Sequence, residues 1–285
     1  MPENSCEQIV IWETSAISRL AEQSNCNDLI ARMKSAYIHW IPAYIFDEIA
    51  ATQSGEKRDR LLSVCRELKG SSGRILITHW FLIEAAVRIF AEIGELDWEV
   101  LLESQPEYEQ AMTSGVFDDD LARVQRAQLR QRLKKVEDYF TLAKPRYERQ
   151  FHSGPDRPKT LDEIIAQSRF TGLVQQNVRY YCESVLGHAV DLQYAERFAK
   201  AFPPIEAMIC AFLIGHYHRN KPEPTPTPAG AIDLLAAVYL PVCQRFVSED
   251  HAQQTVLRDV VGYCSLRTEV IWFSEDFKKQ FSNCT

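Results

Sequence analysis

The chain has 285 residues, 46% of them hydrophobic, which is enough for a sizeable core in one large domain or two modest ones. Its 32 Lys and Arg against 39 Asp and Glu give a formal charge of −7, so any nucleic acid has to be met by a local basic patch and not by the overall balance. The eight cysteines, at 6, 26, 65, 182, 210, 243, 264 and 284, form no C-x-x-C pair, which argues against a structural zinc site and fits reduced thiols in the cytoplasm.

The opening MPENSCEQ has no basic segment before an apolar run, so no secretory signal is expected. The longest apolar stretches, around Ile205–Gly215 and Ala231–Cys243, fall short of the ~20 residues a membrane helix requires, so no membrane association is expected.

Ile9–Trp12 is a continuous apolar run, the pattern of a strand buried on both faces of a parallel sheet, and Glu13 is the acid at its end. Thr14 and Ser15 carry hydroxyls that can cap the next helix or orient a carboxylate, and capping is the commoner fate. A helix is expected from Ser18 to about Met33, broken near Ser24–Asn27. Tyr37–Ile41 reads as the second strand, and Pro42 opens the turn into a helix bearing Glu48. EKRDRLLSVCRELKG is an amphipathic helix with Leu61, Leu62, Val64, Cys65 and Leu68 on its buried side, and Ile75–Thr78 is the expected third strand.

From about Phe81 to Arg219 the pattern is helical with breaks. Asp118–Asp120 suits a helix N-terminus, where acids complement the dipole. Leu129, Leu133, Val136 and Phe140 define one apolar face of the helix that follows. Between Arg123 and Arg149 there are nine Lys or Arg against three Asp or Glu. Arg123, Arg126, Arg130, Lys134 and Lys135 are therefore candidate contacts for a phosphate backbone, weighed against the ordinary solvated face of a helix. Tyr139, Phe140, Tyr147, Tyr180 and Tyr181 offer rings for base stacking, a role set against the more frequent one in a core. Further helices are expected at about Leu161–Leu186, Leu192–Phe202 and Ile205–His218. His216 and His218 are two apart, which points them to different sides of a helix and away from a shared metal.

Lys221–Gly230 is rich in proline and expected to be extended. AIDLLAAVYLPVCQRFVSED follows. Asp233 falls in the first turn of a helix that Pro241 should stop, and Asp250 at the carboxyl end of a short strand around Arg245–Val247. Gln253–Tyr263 is the next helix and Glu269–Phe273 the last strand. Strands alternating with helices predict an α/β fold with a parallel sheet. No G-x-S-x-G, Walker A or G-x-G-x-x-G occurs, which removes the usual serine-hydrolase, P-loop and dinucleotide readings.

The pattern D-x-x-A-A-x-x-L followed by F-V-S-x-D resembles the closing half of a PIN domain. IVIWETSAISRL is similar to that family's opening strand and helix, with Glu13 where the family usually has Asp. WIPAYIFDEIA is similar to its second strand and helix, and TEVIWFSEDFKKQF to its last strand. The resemblance implies a PIN-like parallel sheet flanked by helices, built from residues 1–80 and 229–285, with a mostly helical insertion over 81–228. It further implies that Glu13, Glu48, Asp233 and Asp250 are catalytic and ligate Mg²⁺ or Mn²⁺, with Ser248, Thr14 and Ser15 supporting them. Asp47 competes with Glu48 and Glu249 with Asp250; the family spacing favours Glu48 and Asp250.

Four carboxylates gathered on one sheet repel one another, and an oxygen-only donor set selects a hard divalent cation over zinc. The expected activity is a metal-dependent endoribonuclease hydrolysing phosphodiester bonds of RNA. Three rival expectations stay open: a catalytically weak module that binds RNA or a protein partner, a DNA-directed nuclease, and a toxin held by an antitoxin partner.

Overall fold

The computed structural model describes residues 8–102, 119–151, 160–170, 172–220 and 230–282. Its centre is β1 (Ile9–Trp12), whose IVIW sequence is buried from Val10 to Trp12. β1 pairs in parallel with β2 (Ile38–Pro42) on one side and β4 (Arg245–Ser248) on the other; β3 (Arg74–Leu76) and β5 (Glu269–Trp272) extend the two edges. The five strands are all parallel, in the order β3-β2-β1-β4-β5. The chain builds outward from β1 to β3 and then returns to the other side of β1, so the order reverses between β1 and β4. In open parallel sheets a crevice opens at such a reversal, outside the carboxyl ends of the strands.

Parallel neighbours need crossovers. α1 (Thr14–Ala21) and α2 (Cys26–Ala36) join β1 to β2, and α3 (Ala43–Ala50) and α4 (Gly55–Lys69) join β2 to β3. The expected break near Ser24–Asn27 is found as the gap between α1 and α2. The first helix starts four residues before Ser18, because Glu13 and not Thr14 or Ser15 provides its cap.

Between β3 and β4 the described residues contain no strand, in agreement with the helical periodicity of the tract. They form α5 (His79–Ile93), a 3₁₀ turn at Val100–Leu102, α6 (Asp119–Phe151), α7 (Leu161–Phe170), α8 (Leu173–Leu186), α9 (Leu192–Ala201) and α10 (Pro203–Asn220). The acidic start of α6 has a specific anchor: Asp119 accepts from Nη2 of Arg58, a buried guanidinium on α4, at 3.1 Å. Asp118 lies outside the described residues. α10 is buried at Ile205 and from Ala207 to Ile214 and packs on the segment before β4, so the insertion and the sheet share one continuous hydrophobic core.

The segment before β4 departs from its expected form. The α-helix, α11 (Ala231–Leu235), is only five residues long, and 3₁₀ turns carry the chain through Pro241 to Val242. A proline lacks the N–H for an α-helical ladder but is tolerated in these short turns, so it does not stop the segment where it stands. α12 (His251–Tyr263) then joins β4 to β5, starting two residues earlier than expected, and α13 (Lys279–Ser282) follows a π-turn at Phe273–Phe277. Among the described residues no single helix is long and apolar enough to cross a membrane; α9 and α10 meet that test only as a pair, bent by 104°.

Candidate active site

The carboxyl ends of β1 and β4 are locked side by side. Register places Trp12 opposite Val247, and the ladder runs one residue further: Glu13 N donates to Val247 O at 3.0 Å. The chain then turns into α1 with Glu13 as its N-cap, and Ser15 N donates to Glu13 Oε2 at 2.7 Å. Ser15 Oγ donates to the same oxygen. That hydroxyl in turn accepts from Glu249 N at 2.9 Å, so one serine ties the end of β1 to the end of β4.

Asp250 stands directly after β4 and caps α12, accepting from Gln253 N at 2.8 Å. Ser248, fully buried, accepts from Asp250 N at 3.0 Å and donates to Gln253 Oε1 at 2.7 Å. Gln253 completes the link to the other acid, its Nε2 donating to the carbonyl of Asp233 at 3.1 Å. Gln254 beside it holds β4 against β5, donating to Ser248 O at 2.9 Å and Ile271 O at 3.1 Å. Polar groups this deeply buried have to be partnered, and these two glutamines satisfy the strand ends where the ladder runs out. Sequence reasoning placed Gln253 only as the start of a helix, since nothing local marks a first-turn glutamine as a bridge.

Asp233 is placed by two glycines. Gly215 on α10 lets Leu234 pack so closely that an added Cβ would sit 2.6 Å from Leu234 Cδ1. At Gly230 a Cβ would sit 2.5 Å from Asp233 Oδ2, because the carboxylate folds back over the helix start and takes the Gly230 N–H. Glu48 lies on α3 and accepts from Thr14 Oγ1. Thr14 and Ser15 therefore both orient carboxylates, and the cap is supplied by Glu13.

Of the competing acids, Glu249 turns elsewhere. Glu249 accepts from Ser274 N at 3.0 Å and from Ser274 Oγ, fastening the segment after β5. Asp47 neighbours Glu48 in sequence and is buried on α3.

Electrostatics join the four acids. Glu13 is 7% exposed, and burial pushes its carboxyl up to about 7, reinforced by the charges of Asp233 and Asp250 and opposed by the Ser15 bonds. Glu48 is raised to about 8 by burial, then by Glu13, Asp233 and Asp47, against the Thr14 bond. Burial also raises Asp233, with Asp250 adding to the effect and the Gly230 N–H and Arg219 opposing it. Arg219, near the end of α10, is thus a cation that the insertion brings within electrostatic reach of the cluster, which the sequence did not reveal.

The basic helix adjoins the same place. α6 packs against α3, which carries Glu48, and α11, which carries Asp233. Arg126 is half-buried and its Nη1 donates to Ala51 O at 3.3 Å, at the end of α3. Arg123, Arg130 and Lys134 are exposed, and Arg123 pairs with Asp120 at 3.3 Å; the side chain of Lys135 lies outside the described residues. The stacking role is corrected for Tyr147, which is buried and stacks on His216 with centroids 5.2 Å apart. Tyr180 is exposed, while the side chains of Tyr139 and Phe140 lie outside the described residues. His218 faces away from His216 and meets Asp259 at 3.0 Å.

The donor set is all carboxylate oxygen and crowded with like charge, which suits Mg²⁺ or Mn²⁺. Among the described residues, however, no three His, Cys, Asp or Glu side chains stand together as a ready-made cage. Each of the four acids is drawn toward a protein donor, Ser15, Thr14, Gly230 or Gln253, so a cation has to compete with those bonds. Set against known proteins, the chain matches no family model, no curated protein and no solved structure.

Proposed function

We propose that this chain is a PIN-like, metal-dependent endoribonuclease whose site is the cluster Glu13, Glu48, Asp233 and Asp250. One observation carries the reading: acids from the two ends of the chain meet at the strand-order reversal, where burial and then the charges of the other acids raise Glu13, Glu48 and Asp233. A fold gains nothing in stability from burying like charges together, so their company points to a bound cation.

The four carboxylates would hold Mg²⁺ or Mn²⁺, which when bound supplies charge neutralisation and an activated water for phosphodiester hydrolysis. The chain's own contribution is orientation. Ser15 and Thr14 fix Glu13 and Glu48, and the Ser248–Gln253 bridge sets Asp250 and Asp233 relative to each other. Arg219 and the exposed cations of α6 would favour a phosphate backbone, where counterion release supplies affinity. Single-stranded RNA is the substrate class.

Cleavage of a labelled single-stranded RNA in Mg²⁺ or Mn²⁺, stopped by EDTA, is the test. Asp233→Asn removes a ligand charge at nearly constant volume and should lower the rate about a hundredfold or more with the fold intact. Cleavage that survives EDTA or this variant defeats the proposal, and equal cleavage of DNA would move the substrate class.

A specific observation also favours a binding module: Glu13 and Asp250 each act as a helix cap, a sufficient structural reason for both. Glu13→Asp separates the readings. If Glu is an adapted ligand, the shorter side chain should reduce activity about tenfold. A gain of cleavage in Glu13→Asp would instead mark the natural protein as a binder.

A further inference from the structure

Tyr44 lies on α3 one turn before Glu48, so the two residues share a helix face at the carboxyl edge of the sheet. Its ring stacks on Tyr239 with centroids 6.1 Å apart and an interplanar angle of 24°, and Tyr239 is itself held by a 2.7 Å bond to Ile77 O. Tyr44 is 8% exposed, and its hydroxyl has no hydrogen-bond partner among the described residues. Burial, then the charges of Glu13 and Glu48, then Tyr239 and Asp233, push its proton affinity well up, so three of the acids are among its charged neighbours. The phenol therefore remains a neutral donor at any working pH.

The nearby carboxylates leave this donor aside. Glu13 Oε2 takes both bonds from Ser15, Glu48 Oε2 takes Thr14, and Asp233 takes the Gly230 N–H. A buried hydroxyl without a partner is unfavourable unless a ligand completes it. Arginine or lysine at this position would compete with a cation for the acids, whereas a tyrosine can bond an anionic oxygen without adding charge.

We propose that the Tyr44 hydroxyl donates a hydrogen bond to a non-bridging phosphate oxygen of a nucleotide or nucleic acid bound against Glu13, Glu48 and Asp233. The inference rests on the reading of that cleft as a phosphodiesterase site. It adds a residue from outside the acid set, one that engages the phosphate and not the cation.

Tyr44→Phe removes one oxygen and keeps the ring stack, so it tests the proposal directly. Three quantities are measured on wild type and variant: the thermal midpoint, calorimetric binding of uridine 5′-monophosphate in Mg²⁺, and cleavage of single-stranded RNA. The midpoint should stay the same or rise, nucleotide binding should weaken about tenfold, and kcat should fall between about tenfold and a hundredfold. A midpoint lowered by several degrees would show the hydroxyl bonded within the folded protein and overturn the proposal. Unchanged nucleotide binding and cleavage in Tyr44→Phe would overturn it while leaving the nuclease standing. Wild type that binds the nucleotide, with Tyr44→Phe weakened, but cleaves nothing would sink the nuclease and keep the donor; wild type that neither binds nor cleaves overturns both.

Discussion

Two buried polar clusters in this protein are treated in opposite ways. On β1 and β2, Trp12 Nε1 donates to His39 Nδ1 at 2.9 Å, and burial pushes the His39 imidazole down to about 4, so the pair is neutral, although His39 Nε2 has no hydrogen-bond partner among the described residues. One residue beyond Trp12, Glu13 begins a cluster of carboxylates that raise one another instead of cancelling. The first arrangement carries no charge and serves packing; the second holds like charges that protons or a cation would relieve. Uncompensated like charge, held by specific donors at a strand-order reversal, distinguishes a candidate site from a polar core.

The comparison breaks most easily at Gln253, which belongs to the site yet is buried as completely as the core. Gln253→Leu strips Ser248 Oγ of an acceptor and the Asp233 carbonyl of a donor, so stability should fall by about 2–3 kcal/mol, read by urea denaturation. Loss of less than a few tenths of a kcal/mol would mean that the bridge is incidental.

Protonation sharpens the contrast. Glu13 and Glu48 bind protons more tightly folded, at about 7 and about 8, than at their ordinary value of 4.5, so between roughly pH 4.5 and 8 the native state holds more protons than the unfolded one. Stability without divalent ions should therefore fall as pH rises through this window. Glu48→Gln should flatten part of that slope. His39 acts in the opposite direction and lower, between its folded value near 4 and its ordinary 6.5, where the native state gains stability as pH rises. Thermal melts in EDTA across pH 5–9 check the sign, and a midpoint rising from pH 6 to pH 8 would contradict it.

The smallest expected effect is at the rim. Arg123→Ala with Arg130→Ala should weaken RNA binding severalfold and lower its salt dependence, without changing the midpoint, because both side chains are exposed. Binding measured over a salt series reads this.

The sheet was legible because its strands announce themselves: IVIW, RFVS and EVIW are short apolar runs ended by turns or acids, and parallel pairing follows from the alternation with helices. Glu13, Glu48, Asp233 and Asp250 were legible as acids at strand ends or in flanking helices. The contacts that tune them were not. Nothing local marks Tyr44, Arg219 or Gln253; each meets its partner, Tyr239 in the first case and Asp233 in the other two, on another element. The run through Pro241 differs from its expected form for a local reason, since a rule about α-helices does not bind a 3₁₀ segment.

The central claim is that the carboxyl-edge acids form a cation site, and direct titration of wild type and Asp233→Asn with Mn²⁺ at pH 7 tests it most plainly. Calorimetry in two buffers of different ionisation enthalpy should show saturable binding with proton release, because Glu13 and Glu48 are partly protonated at that pH, and at least about tenfold weaker binding in the variant. No saturable binding to wild type, or equal affinity in Asp233→Asn, would contradict the account.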